Sequence, residues 1–75
     1  MKEGMLWYDN LSNENVGERI MSAINFFESK YGFLPEKCYL NPKSMNGEFE
    51  VNSSVKVLKS KRVMVNHIWL EFPKE

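Results

Sequence analysis

The sequence predicts a two-layer α+β domain, in which one amphipathic helix packs on a four- or five-stranded mixed sheet. Three observations predict it. A single stripe of apolar residues recurs at helical spacing between clear start and stop signals. Short apolar runs too brief for helices flank that stripe on both sides, and the C-terminal run alternates apolar and polar residues with period two. Seventy-five residues hold one core and no more, so residues 1–75 form a single small domain.

Met5-Leu6-Trp7-Tyr8 is aromatic-rich and stops at Asp9-Asn10, whose side chains bond their own backbone in turns, so it reads as a first strand. Ser12 is positioned to cap a helix over residues 13–31, with Leu11 and Val16 as a hydrophobic staple around the cap. Val16, Ile20, Ala23, Ile24, Phe27 and Tyr31 form its apolar stripe, while Glu14, Glu18, Asn25 and Glu28 fall on other faces. Gly32 can take the left-handed conformation that ends a helix, Phe33 can fold back on Phe27, and Pro35 forbids continuation.

Lys37-Cys38-Tyr39-Leu40 lies between Pro35 and Asn41-Pro42, too short for a helix, and reads as a second strand. Strand, helix and strand together suggest a right-handed parallel crossover. Residues 41–47 read as a loop or one helical turn, with Pro42 suited to a first helical position. Phe49 and Val51, then Val55 and Val57, alternate with polar neighbours around Asn52-Ser53-Ser54, the pattern of a hairpin. From Asn66 to Phe72, Ile68, Leu70 and Phe72 share one face and His67, Trp69 and Glu71 the other, before Pro73 ends the strand.

A chain this short buries only about 60% of its unfolded surface, so it lacks the stability reserve of a larger domain. Cys38 is the sole cysteine, which excludes an intrachain disulfide and suits a reducing compartment. Met1-Lys2-Glu3-Gly4 opens no apolar leader, and no run approaches the ~18 apolar residues of a membrane span. The expectation is a cytoplasmic protein without a membrane partner, in which the sequons at Asn10 and Asn52 are turn chemistry. Ten acidic and ten basic residues cancel, but residues 1–36 hold six acids and three bases, and residues 37–75 four acids and seven bases. The excess concentrates in Lys56, Lys59, Lys61 and Arg62.

No metal-ligand spacing, phosphate-binding glycine loop or Gly-x-Ser-x-Gly elbow occurs, so neither catalytic residues nor a metal or other cofactor is expected. Cys38 and His67 could make a nucleophile and base only if their strands abut; otherwise Cys38 is a small buried hydrophobe and His67 a solvent-side residue. Glu48 and Glu50 share one side of a strand but have no third ligand, the pattern of surface acids. Phe26, Phe27, Phe33, Phe49 and Phe72 read as core or helix packing.

Trp69 must point away from Ile68, Leu70 and Phe72, and one helix cannot cover both faces of a sheet. It either marks a partner surface or tucks under the N-terminal segment or the 41–47 loop. Lys56, Lys59, Lys61 and Arg62 are either a solvated turn that guards an edge or the rim of a nucleic-acid site.

Met5-Leu6-Trp7-Tyr8-Asp9-Asn10, the helix end at Tyr31-Gly32 with Pro35 following, and Asn66-His67-Ile68-Trp69 together resemble short prokaryotic proteins of unassigned function over nearly the whole chain. That resemblance implies a free-standing small protein and carries no activity. Two functions follow as expectations. The first is a non-enzymatic interaction module, a homo-oligomer or a protein-binding domain, using a face or edge around Trp69, His67, Lys56 and Leu58. The alternative is a nucleic-acid-binding accessory protein in which Lys56, Lys59, Lys61 and Arg62 meet phosphates and Trp69 stacks on bases. A small enzyme is the third and least supported reading.

Overall fold

The structure is a computed structural model that describes residues 3–8, 15–44 and 54–73. Its elements in chain order are β1 (Gly4–Tyr8), α1 (Val16–Tyr31), β2 (Lys37–Leu40), a 3-10 turn (Pro42–Ser44), β3 (Lys56–Lys59) and β4 (His67–Glu71). The four strands form one mixed sheet in the order β1-β4-β2-β3, with α1 packed on one face. The predicted α+β architecture is the observed one.

The helix starts later than Ser12 suggests, and Ser12 itself lies outside the described residues. Asn15 is the cap: its backbone is extended and its side-chain Oδ1 accepts from the Glu18 amide at 2.8 Å. Asn15 and Glu18 have capping-box spacing, a signal that competes with Ser12 in the sequence. The other end matches expectation, because Gly32 is left-handed at φ 82° and its amide bonds the Glu28 carbonyl at 2.8 Å. Phe33 meets the edge of the Phe27 ring with centroids 5.9 Å apart.

The helical stripe and the sheet bury each other. Phe27, Ile20, Ile24, Leu40, Ile68, Leu70 and Cys38 are fully buried, with Met5, Trp7, Val57 and Phe72 packed around them. At ~1.5–3 kcal/mol per buried large apolar side chain, this cluster is the main force opposing chain entropy. Not every phenylalanine joins it. Phe26 and Phe33 are each 45% exposed, Phe26 against Trp7 and Phe33 stacked beside Tyr31, and Phe49 lies outside the described residues.

The crossover differs from a simple parallel pair. β1 and β2 each run antiparallel to β4 and so parallel to one another, but β4 is inserted between them. β4 takes the centre because Ile68 and Leu70 allow it to be buried on the helix face while its backbone is paired on both sides. The 56–59 half of the expected hairpin is a strand whose described partner is β2, in parallel; Phe49 and Val51 lie outside the described residues.

Candidate functional site

Strand alternation divides the sheet into two chemically different faces. Met5, Trp7, Ile68, Leu70, Cys38, Leu40 and Val57 face α1, so the residues between them face the other way. Registers align Leu6 with Trp69, Trp69 with Tyr39, and Tyr39 with Leu58, making one apolar and aromatic row across all four strands. A second row runs Gly4, Glu71, Lys37 and Lys56. Tyr8 and His67 begin a third, their rings 5.3 Å apart.

Trp69, His67, Lys56 and Leu58, singled out from sequence, therefore share the face opposite the helix. Their exposures are unequal. Trp69 and His67 are half-buried and Leu58 is 38% exposed, whereas Leu6 and Tyr8, which the sequence reading passed over, are 50% and 61% exposed. Among the described residues the exposed apolar groups of this face thus lean toward β1. Alternation in Leu6-Trp7-Tyr8 was the available signal, but its meaning depends on β1 lying beside β4.

Two buried polar atoms sit on this face of β4. Trp69 Nε1 and Glu71 Oε1 are both inaccessible to solvent and have no hydrogen-bond partner, although Glu71 is only 2% exposed overall. The His67 ring nitrogen Nδ1 lies 3.1 Å from the Val65 carbonyl, a contact that orients the ring and requires a proton on that nitrogen.

The basic residues do not gather into one patch. Lys56 lies on the face opposite the helix next to Lys37 in register, and Lys59 ends β3 with the opposite parity. Lys61 and Arg62 form the tip of a turn closed by the Val63 amide on the Ser60 carbonyl, with the Arg62 amide on Ser60 Oγ. Lys61 shares a cleft of about 310 Å³ with Asn41, Pro42 and Lys43. Asn41 is committed to structure there, donating to the Val63 carbonyl and accepting from the Lys43 amide, both at 2.9 Å.

Cys38 and His67 do not meet. Cys38 faces the helix, fully buried, and its thiol is pushed up to about 12 by desolvation, while His67 lies on the opposite face of the neighbouring strand. A thiol so buried is a poor nucleophile. Among the described residues no group of three or more His, Cys, Asp or Glu could hold a metal ion, and Glu48 and Glu50 fall outside them. No described helix is long and apolar enough to cross a membrane.

No family model, curated protein or solved structure matches this chain. The site must be read from its own chemistry.

Proposed function

We propose that this chain is a non-enzymatic interaction module that self-associates through its open sheet face. The observation that carries the reading is the row Leu6, Trp69, Tyr39 and Leu58, continuous over four strands on the side away from the only described helix. A second copy is the favoured occupant because the chain is neutral overall, so no long-range field selects a charged partner. Leu6 and Leu58 are the exposed members of that row, at 50% and 38%, whereas Trp69 and Tyr39 are already half-buried, so the face adds limited apolar area and the association is expected to be weak. The buried free thiol of Cys38 fits a reducing, cytoplasmic setting.

Sedimentation across concentrations tests it. Wild-type protein is expected to dimerise at high micromolar concentration, and Leu58→Glu, at an exposed site, to remain a folded monomer. Trp69→Ala is expected to weaken both dimer and fold while keeping helix content. A wild-type protein that stays monomeric, or a Leu58→Glu protein that stays dimeric, overturns the reading.

A second reading rests on Lys37 and Lys56 lying beside Tyr39 and Trp69 on one open face, since lysines bordering aromatic rings on a sheet are a single-strand nucleic-acid platform. Lys59, Lys61 and Arg62 would then extend the phosphate path around the edge. Oligonucleotide binding at low salt that weakens steeply as salt rises supports it; no binding at low ionic strength removes it.

A further inference from the structure

β2 and β3 run parallel, so the loops that follow them leave the sheet at the same end. The Ser60 amide donates to the Leu40 carbonyl at 2.8 Å and carries the pairing one step beyond the strands, which sets Asn41-Pro42-Lys43 beside Ser60-Lys61. The cleft of about 310 Å³ lined by Asn41, Pro42, Lys43 and Lys61 lies between these two loops. Crevices outside the carboxyl ends of parallel strands are recurrent ligand sites in open sheets, because loops leaving neighbouring strands diverge there.

Both walls are held before any ligand arrives. Asn41 ties them together, its Nδ2 donating to the Val63 carbonyl and its Oδ1 accepting from the Lys43 amide. The Ser44 amide closes the 3-10 turn on the Asn41 carbonyl at 2.9 Å, and the Arg19 guanidinium donates to the Ser44 carbonyl at 3.3 Å, anchoring that turn to α1. On the other wall the Ser60 carbonyl and hydroxyl accept from the Val63 and Arg62 amides and so fix the turn that carries Lys61. A wall already ordered leaves little backbone entropy to lose on binding.

The charge of the lining is one-sided. Among the described residues it holds two ammonium groups and no carboxylate, and neither lysine has an ion-pair partner. The chain as a whole is neutral, so this field is local, and the cleft walls focus it on whatever enters. No arginine fork is among the lining residues to grip a planar carboxylate with two parallel bonds. Two point-like ammonium groups on separate loops instead suit an anion with oxygens in several directions and a charge of about −1.5 to −2 at neutral pH, which is a phosphate monoester. The volume is at the small end of the ~300–1,000 Å³ of ligand sites.

We propose that this cleft is a phosphate-group site, in which Lys43 from one loop and Lys61 from the other neutralise the anion. The phosphate belongs to a soluble ester or to a lipid headgroup, and the shared chemistry is the same. The site goes beyond self-association and stands without it, since neither lysine belongs to the row Leu6, Trp69, Tyr39 and Leu58.

Amide-resolved NMR titration of the full chain with inorganic phosphate and with glycerol phosphate, at an ionic strength held constant with sodium chloride, tests the site. Saturable shifts are expected at the Asn41, Lys43, Ser44 and Lys61 amides. Lys43→Gln and Lys61→Gln, both at exposed positions, should each weaken binding about two- to fivefold, and the double variant about tenfold, with helix content unchanged. Lys56→Gln, outside the cleft, should leave the midpoint where it was. Shifts that do not saturate, that chloride alone reproduces, or that Lys56→Gln weakens equally would overturn the site. So would a response to oligonucleotides with none to either phosphate probe, which would favour the nucleic-acid reading. Where both probes saturate, co-sedimentation with phosphatidic-acid vesicles distinguishes the sources. Vesicle binding lost in the double variant assigns a lipid headgroup, and any other result assigns a soluble phosphate ester. A strictly monomeric wild type that still binds phosphate removes self-association and leaves this site intact, so the two readings fail separately.

Discussion

Gly4 lies so close to the Leu70 carbonyl oxygen that a β-carbon at position 4 would overlap it, with the Glu71 Cα next nearest. The colliding atoms are backbone in the central strand β4, so the neighbour cannot rotate aside. Gly4→Ala should therefore displace the start of β1 and lower stability by about 1–3 kcal/mol, the usual range for overpacking. Denaturant midpoints of the two proteins check this, and an unchanged midpoint would show that β1 begins after residue 4.

Two other positions are constrained by backbone angle. Gly32 has φ 82° with open space around it, so Gly32→Val carries the left-handed penalty with no clash, about 1 kcal/mol or more. Asn66 sits at φ 67° in the turn closed by the His67 amide on the Met64 carbonyl, a conformation that asparagine tolerates and glycine prefers. Asn66→Gly should be neutral or slightly stabilising, whereas Asn66→Val should cost about as much as Gly32→Val. Thermal unfolding of the three variants tests the ordering.

Cys38 makes stability depend on alkali. Burial raises its thiol from 9.0 to about 12, so the folded state holds its proton over a range in which the unfolded chain has lost it. This group leaves stability unaffected below about pH 9 and erodes it as pH climbs toward about 12, by up to ~1.4 kcal/mol per unit. Cys38→Ala should be less stable at neutral pH, for the lost packing, yet show a shallower alkaline decline than wild type. Equal slopes for the two proteins would mean that the thiol ionises normally. In native protein at neutral pH, Cys38 should also resist thiol reagents until the chain unfolds.

Glu71 presents a testable cost. Its Oε1 is buried without a hydrogen bond on the central strand, and an unsatisfied buried polar group is worth roughly 1–3 kcal/mol of instability. Glu71→Met keeps the length of the side chain and removes the orphaned oxygen, so its unfolding midpoint should rise. A lower midpoint would show that the carboxylate contributes net stability where it sits.

Much of this was legible in the residues themselves. Periodicity placed Val16, Ile20, Ala23, Ile24 and Phe27 on one helical face, and Gly32 with Pro35 marked its end, because these signals are local and act within one or two turns. The same locality set Ile68 and Leu70 against Trp69 and His67, since side chains alternate wherever a strand forms. The start of the helix was less clear, because Ser12 and Asn15 offer competing caps and only the Asn15 bond to Glu18 distinguishes them.

Strand order was beyond local reading. Nothing in Met5-Leu6-Trp7-Tyr8 or Lys37-Cys38-Tyr39-Leu40 reveals that β4, the last strand in the chain, inserts between them. That choice comes from burial: Ile68 and Leu70 must be covered by α1 while the β4 backbone finds partners on both sides. From it follow the row Leu6, Trp69, Tyr39 and Leu58, the separation of Cys38 from His67, and the uncharged outer edge of β1. Apolar identity, the helix end and strand alternation are encoded residue by residue, whereas neighbours across the sheet follow from register and strand order, which depend on contacts between residues far apart in the chain.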